Sequence, residues 1–218
     1  MPITLDQHRL SRRALLSVTS LALVGVAVPR LAMAALTLTP RQTAGPFYPK
    51  SLPLHPDNDL VRIAGHEKQA DGIVTHIFGR VLDGDGRPVP QARIEIWQCD
   101  SHGRYHNVDD RSSRPLDPDF QGYGLTVSGD DGGYRFRTIR PVAYPGRTPH
   151  IHFAISPSGG GRLVTQMYVA GEPLNARDTV LNEIRDPAAR ARVIVPLEPA
   201  AQVEPGALAG TFDIVLGS

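Results

Sequence analysis

Two tight turns punctuate the middle of this chain and limit what it can fold into. Residues 83–86 read Asp-Gly-Asp-Gly, and residues 130–133 read Asp-Asp-Gly-Gly. Both combinations are typical of turns that join β-strands. Segments with β-type patterns lie on either side, and we predict strands over residues 73–82, 93–99, 134–139, 150–155, 163–169, 193–197 and 211–216. Short strands separated by turns favour a mainly β fold, namely a β-sandwich.

Alternation assigns the side chains of the second predicted strand to opposite faces. Ile94 and Ile96 fall on one face, and Glu95 and Trp97 fall on the other. Helical patterning occurs only over residues 176–193, with Asp178 as a candidate N-cap. We therefore expect one short helical insertion late in the sandwich.

The first 34 residues differ from the rest of the chain. The paired Arg12 and Arg13 precede an apolar run over residues 21–28, and residues 32–34 read Ala-Met-Ala, a small-residue cleavage pattern. We predict a signal peptide of the twin-arginine type over residues 1–34, with export to the periplasm or secretion. An ordinary secretory signal is the alternative. The apolar run is too short for a secure membrane span, so we expect none after cleavage.

The remaining sequence divides into an arm and one domain. Residues 35–72 are rich in proline and polar residues and predict an extended N-terminal arm, followed by a β-sandwich domain over residues 73–218. A formal net charge of +1 gives no indication of a nucleic-acid partner. The single cysteine, Cys99, excludes an intrachain disulfide and a cysteine-rich zinc site. Whether the chain forms a homo-oligomer is left open.

A His-x-His pattern is the first indication of chemistry. His150 and His152 are two residues apart in a predicted strand, so their imidazoles point to the same side, while Ile151 and Phe153 point into the core. Two imidazoles on one rigid strand can serve as a pair of metal ligands. By itself the pattern is weak and favours two polar histidines on an exposed strand face, and only the neighbouring residues shift this interpretation towards a metal site.

The surrounding segments carry a family resemblance. The matching segments are residues 39–49, 95–98, 103–105, 120–124, 133–141, 144–145, 147–153 and 165–168. In these segments the chain resembles the intradiol ring-cleavage dioxygenases, the family of catechol 1,2-dioxygenase and protocatechuate 3,4-dioxygenase. The resemblance implies the prealbumin-like β-sandwich of that family and a non-haem Fe(III) cofactor. It also implies cleavage of a catechol-type ring with dioxygen to a cis,cis-muconate-type diacid.

Carried over residue by residue, the resemblance implies four metal ligands: Tyr105, Tyr144, His150 and His152. Anionic phenolate oxygen suits Fe(III), because the ion is hard and highly charged. In the family the second tyrosine, here Tyr144, leaves the metal and accepts a substrate proton, while the first stays bound. Each tyrosine taken alone would be interpreted as an ordinary core or rim aromatic residue.

Four further residues match positions around the substrate. Arg147 matches an arginine that stabilises negative charge near the reacting carbon, a task that suits a fixed guanidinium. Gln166 matches a glutamine expected to orient that arginine, and both are candidate substrate-binding residues. Residues 42–48 are more similar to the protocatechuate branch, in which the matching Gly-Pro segment helps to line the pocket, so Gly45 and Pro46 are candidates too.

Two other interpretations remain at this point. Residues 79–81, 85–92 and 131–136 also resemble non-catalytic prealbumin-like and carboxypeptidase-regulatory-type binding modules, but these give no reason for the four-ligand set. A zinc or cupin-like histidine site lacks a convincing third ligand. The loop between Tyr144 and His150 is shorter than in protocatechuate 3,4-dioxygenase, so the identity of the catechol is left open.

Overall fold

The computed structural model describes residues 36–52 and 56–217. The predicted signal peptide, residues 1–34, lies outside the described residues. Within them the fold is mainly β. The strands are β1 (Val74–Leu82), β2 (Arg93–Trp97), β3 (Tyr123–Val127), β4 (Gly133–Ile139), β5 (His150–Ser156), β6 (Leu163–Val169), β7 (Ile194–Val195), β8 (Glu198–Pro199), β9 (Leu208–Thr211) and β10 (Ile214–Val215).

The strands form two five-stranded sheets. In the first sheet β1 pairs with antiparallel β4 on one side and with parallel β9 and β10 on the other, and β8 pairs with β9. The second sheet has the order β3-β2-β5-β6-β7. The predicted mainly β architecture is confirmed, although β3, β8 and most of β9 were not predicted. The strand predicted over residues 211–216 is interrupted. Its first residue ends β9, and β10 follows after a break of two residues.

The main core lies between the sheets. Ile94, Ile96, Ile151 and Phe153 are all completely buried in it, as their alternation predicts. Phe153 packs edge-to-face against Phe136 and Tyr134 of β4 and against Phe212, which lies between β9 and β10. A smaller cluster covers the other face of the second sheet and contains Trp97, Tyr105 and Tyr123. The strand alternation therefore places Trp97 and His152 on the face that points away from the main core.

The predicted late helical insertion is confirmed, and it is divided into three short elements. It consists of a 3-10 turn (Pro173–Ala176) and two short helices, α1 (Thr179–Asn182) and α2 (Pro187–Arg192). Pro187 has no N–H and would clash with a preceding carbonyl inside a helix, so it can only start a new one. Asp186 caps this second helix. The predicted N-cap of the first helix is confirmed, because the Asp178 side chain accepts the Leu181 N–H.

The arm that precedes β1 has no helix or strand in residues 36–52 and 56–73. Its backbone is held by hydrogen bonds from Thr39 N to Val215 O and from Gln42 N to Val164 O. Phe47 and Tyr48 pack on the smaller cluster of the second sheet. The arm therefore covers the sheet face that carries the histidine pair. None of the described helices is long and apolar enough to span a membrane.

Candidate active site

Strand register assembles one row of side chains on the outer face of the second sheet. β2 pairs Trp97 with His152, and β6 pairs Gln166 with His152 and Tyr168 with His150. Directly opposed residues in antiparallel strands share a face and lie side by side. The Trp97 indole stacks on the His152 imidazole, with ring centroids 4.8 Å apart and planes 6° apart. Three strands therefore hold the imidazoles in place.

The two histidines direct their Nε2 atoms towards each other. These atoms are 3.2 Å apart. On His150 the Nδ1 atom lies 2.6 Å from the carbonyl of Thr148, so Nδ1–H donates and Nε2 keeps its lone pair. Burial, with the nearby Arg147 charge, lowers the pKa of His150 to about 4. Burial also lowers the pKa of His152 well below its ordinary value. Both imidazoles are therefore neutral near pH 7, the form that binds metals.

Two tyrosines complete a ring of four aromatic side chains. Tyr105 lies 6.3 Å from His152 and 5.5 Å from Tyr144 by ring centroids. Tyr144 lies 5.5 Å from His150, and the two histidines are 4.8 Å apart. The structure thus brings together all four ligands that the sequence predicts, from β5 and from the loops after β2 and β4.

The Tyr105 hydroxyl is one of two unsatisfied polar groups among these four side chains. It is buried and has no hydrogen-bond partner among the described residues, and the same is true of His152 Nδ1. Burial raises the pKa of Tyr105 well above its ordinary value, and the neighbouring Tyr144 adds to this. An unpaired buried hydroxyl costs about 1–3 kcal/mol. A bound cation would remove this cost by stabilising the phenolate, so the site fits a metal.

The donor set restricts which kind of metal site this can be. In residues 36–52 and 56–217, no three His, Cys, Asp or Glu side chains cluster closely enough to hold a metal ion. The tyrosine oxygens of Tyr105 and Tyr144 are the further donors that lie beside His150 and His152. Burial raises the pKa of the Cys99 thiol to about 12, so this nearby cysteine stays protonated.

Arg147 is fixed beside the four aromatic side chains by three neighbours. Its Nε donates to Asp178 Oδ2 at 2.8 Å, and its Nη2 donates to Gln166 Oε1 at 2.5 Å and to Tyr168 Oη at 3.5 Å. Gln166 is fully buried, and its Nε2 donates to the carbonyl of Thr43 at 3.0 Å. The amide therefore lies within reach of Arg147, as the predicted orienting role requires. Its use in binding substrate stays a prediction.

Sequence reasoning missed two partners of Arg147. Tyr168 lies two residues beyond Gln166 on β6, so alternation could have placed it on the same face. It donates to Gln166 Oε1 at 3.0 Å and accepts from Gln42 Nε2 at 2.8 Å. Asp178 was recognised only as a helix cap. Asp178 and Arg147 are 31 residues apart in the sequence, so no local sequence pattern indicates their contact.

Gly45 lies against the Cε1–Nε2 edge of His152. A Cβ atom at this glycine would lie 3.4 Å from His152 Cε1 and 3.8 Å from Nε2, and its φ of +66° disfavours other residues. The following residue, Pro46, is exposed. The structure thus places Gly45 at the site, whereas the pocket-lining role of Pro46 stays a prediction.

A cavity of about 230 Å³ opens beside Tyr144 and Arg147. Its other walls come from the loop before β5 and from the late helical segment, namely Gly146, Thr148, Leu174, Arg177 and Asp178. A small aromatic ring fits such a volume, and the Tyr144 hydroxyl and the Arg147 guanidinium offer it a polar end.

Comparisons with known proteins agree with this geometry. A family model described as Dioxygenase matches residues 43–218. The chain is 41% identical to the protocatechuate 3,4-dioxygenase beta chain of Burkholderia cepacia over 168 residues, covering 73% of this chain and 71% of that one. It is 34% identical to a hydroxyquinol 1,2-dioxygenase of a Rhizobium species, covering 62% of this chain and 49% of the relative. The chain thus spans only about half the length of that relative.

Solved structures show the same fold. The dioxygenase domain of a dioxygenase carbohydrate-binding protein fusion from Streptomyces sp. SirexAA-E is 30% identical, with a TM-score of 0.64, and the match covers 83% of this chain and 99% of that one. An intradiol ring-cleavage dioxygenase from Tetranychus urticae is 22% identical, with a TM-score of 0.64 over 84% and 95% of the two chains, and supports the fold alone. The alternative of a non-catalytic binding module is therefore wrong, and the chain belongs to the intradiol ring-cleavage dioxygenase family.

Proposed function

We propose that this chain is a non-haem iron(III) dioxygenase that cleaves a catechol-type ring between its two hydroxyl-bearing carbons. One observation carries the proposal. Two neutral imidazoles direct their Nε2 atoms towards each other. Beside them lie two tyrosines, and one of these is buried with a hydroxyl that has no hydrogen-bond partner among the described residues. This donor set of two nitrogens and two phenolic oxygens suits a hard, oxidised ion.

The ligands would be Tyr105, Tyr144, His150 and His152. Fe(III) bound there would supply a Lewis-acidic centre that binds both catechol oxygens and makes the ring reactive towards dioxygen. The carbonyl of Thr148 holds the His150 tautomer that presents Nε2. Trp97 holds the plane of His152 by stacking. The protein would thus orient both nitrogen ligands before any substrate arrives.

Tyr144 is the ligand suited to exchange for substrate and to accept its proton. It lines the cavity beside Arg147, whereas Tyr105 is only 3% exposed and stacks on Phe47 at 4.7 Å. Burial raises the pKa of Tyr144 above its ordinary value, although the Arg147 charge opposes this. A phenol with a raised pKa keeps a proton once it has received one, which suits a group that takes a proton from a catechol hydroxyl.

Arg147 would stabilise the negative charge that develops on the ring as it is oxidised. Its side chain is only 13% exposed, so its charge acts in a poorly solvated site. Gln166 and Asp178 hold the guanidinium in one orientation. The expected product is a cis,cis-muconate-type diacid that contains both atoms of dioxygen.

The test is anaerobic mixing of the purified iron-loaded protein with catechol, hydroxyquinol and protocatechuate, followed by labelled dioxygen and mass spectrometry. We expect a red protein whose visible band changes on catechol binding, and a ring-opened diacid carrying two labelled oxygens. His150→Ala is the control, since it should remain folded but retain no iron. A protein that binds zinc, or that holds iron and opens none of these rings, would contradict the proposal.

We further propose that the chain is exported to the periplasm or secreted through a twin-arginine signal in residues 1–34. The support is the sequence pattern alone. Replacing both Arg12 and Arg13 by lysine should retain the precursor in the cytoplasm, as measured by fractionation and immunoblotting. Export of this variant at the normal rate would point to an ordinary secretory signal. Light scattering on the exported protein would show whether it forms a homo-oligomer.

A further inference from the structure

Asp178 joins the late helical segment to the loop that carries Arg147. It is 2% exposed. Its Oδ1 accepts the N–H of Leu181 at 2.9 Å, which caps α1. Its Oδ2 accepts both the Arg147 Nε–H at 2.8 Å and the Thr148 N–H at 2.9 Å. One carboxylate therefore satisfies donors from two separate segments of the chain.

A second set of hydrogen bonds supports the same loop. Thr148 Oγ1 donates to Asn175 Oδ1 at 2.8 Å, and Asn175 Nδ2 donates to the carbonyl of Val169 at 2.8 Å. Asn182 Nδ2 in turn donates to the carbonyl of Asn175 at 2.9 Å. The loop is short, with five residues between Tyr144 and His150. Asp178 and Asn175 of the late helical segment thus both hold the loop by hydrogen bonds to Arg147 and Thr148.

The hydrogen bonds of Arg147 leave one edge of its guanidinium free. A guanidinium has five N–H donors in a fixed plane. Nε is used by Asp178, and Nη2 contacts Gln166 and Tyr168. Nη1 takes part in none of these three hydrogen bonds, and Arg147 and Tyr144 both line the adjoining cavity. Asp178 and Gln166 thus hold two sides of the plane and leave the third for a ligand in the adjoining cavity.

We propose that Asp178 is a positioning residue for ring cleavage, which it serves by holding the Arg147 guanidinium so that Nη1 faces the bound catechol. This inference rests on the proposed function. Arg147 would act on charge that develops during the reaction, so its misplacement should slow turnover more than it weakens substrate binding. A helix cap with no other role would affect stability and leave the kinetic parameters unchanged.

The test compares Asp178→Asn with a matched control at the other helix. Asparagine is as good an N-cap as aspartate, so this variant keeps a capping oxygen and loses the charge beside Arg147. Asp186→Asn makes the same change at the exposed cap of α2, whose side chain accepts the Ala188 N–H at 3.0 Å. We expect Asp178→Asn to lower kcat about 10- to 100-fold, with a smaller change in the anaerobic Kd of catechol and normal iron content. Asp186→Asn should match the wild type in all three.

A double-mutant cycle with Arg147→Ala identifies the route of the effect. If Asp178 acts through Arg147, the double variant should turn over no more slowly than Arg147→Ala alone. Multiplicative losses, a normal kcat in Asp178→Asn, or loss of iron from that variant would each overturn the inference. If Asp178→Asn does not fold, Asp178→Ser, which also keeps a capping oxygen, is judged by the same criteria. A wild-type protein that opens no catechol would instead overturn the proposed function, so the two failures are distinct.

Discussion

The indole of Trp97 lies parallel to the imidazole of His152, with 4.8 Å between ring centroids and 6° between planes. The contact arises because β2 and β5 pair these two residues directly across the sheet. Tyr48 from the arm packs edge-on against Trp97, with 5.0 Å between ring centroids. Trp97 thus contacts both the arm and a predicted metal ligand, and its stacking restricts the rotation of that ligand.

We predict that Trp97→Leu weakens iron retention about 10- to 100-fold, since supports of a metal ligand have effects of this size. It should also lower the free energy of unfolding by about 2–4 kcal/mol through lost packing. Iron retained during titration with a chelator measures the first effect, and urea unfolding measures the second. Phe212→Leu is the control, because Phe212 is buried in the main core and packs on Phe153. Equal iron affinity in the two variants would show that the stacking has no influence on the metal.

The second prediction separates the two tyrosines. Tyr105→Phe should lose most of its iron, because it removes the deeply buried ligand. Tyr144→Phe should keep more iron and lose turnover, because Tyr144 lines the cavity and is the expected proton acceptor. Iron content, the visible spectrum and oxygen uptake distinguish the two outcomes. Identical spectra and rates in both variants would contradict separate roles.

Local pattern explains which parts of this fold were predictable. Alternation placed Ile94, Ile96 and Trp97 on their correct faces, because the period of a strand depends only on its own residues. The stacking of Trp97 on His152 also requires the order and register of strands, which depend on distant parts of the chain. The late helical insertion was located correctly, and its division at Pro187, where α2 begins, was not predicted.

The site divides in the same way. Tyr105, Tyr144, His150 and His152 were named from a family resemblance, and the structure brings them together. The spacing of the two histidines alone did not distinguish a metal site from an exposed strand. Asp178 was missed as a partner of Arg147 because a helix N-cap is by itself a sufficient reason for an aspartate at this position of the sequence.

The third prediction concerns acid stability and a cluster on the first sheet. Glu204 accepts two hydrogen bonds from Arg137, at 2.6 and 2.8 Å, and one from His76 at 3.0 Å; Asp59 and Arg135 contact Arg137 and His76 from the other sides. The Arg137 guanidinium lowers the pKa of Glu204 from 4.5 to about 2. A lowered carboxyl pKa stabilises the fold above the unfolded pKa, and this stabilisation is lost as the pH falls from about 4.5 to about 2.

We therefore expect Glu204→Gln to lower the free energy of unfolding by about 1–2 kcal/mol at pH 7, allowing for partial solvent exposure. The difference from the wild type should shrink towards zero as the pH falls to about 2. Urea unfolding at a series of pH values measures it. Glu198→Gln, at an exposed position on β8, should behave like the wild type at every pH. A difference that is constant with pH would mean that the loss is one of packing and not of charge.

The last prediction concerns Arg147 and tests the chemistry separately from the metal. The three side chains that hold the Arg147 guanidinium by hydrogen bonds, Asp178, Gln166 and Tyr168, are not among the four predicted ligands. Arg147→Ala should therefore retain iron and colour. Loss of one preorganised electrostatic partner in a buried site typically lowers the rate by about 10²–10³, equivalent to about 3–4 kcal/mol. Arg147→Lys should recover only part of this rate, since it keeps the charge but loses the planar fork that its partners orient.

Three measurements on Arg147→Ala separate metal binding, substrate binding and catalysis, namely iron content, anaerobic catechol binding and turnover in air. Near wild-type turnover in Arg147→Ala would remove this residue from the catalytic machinery and leave it a structural partner of Asp178.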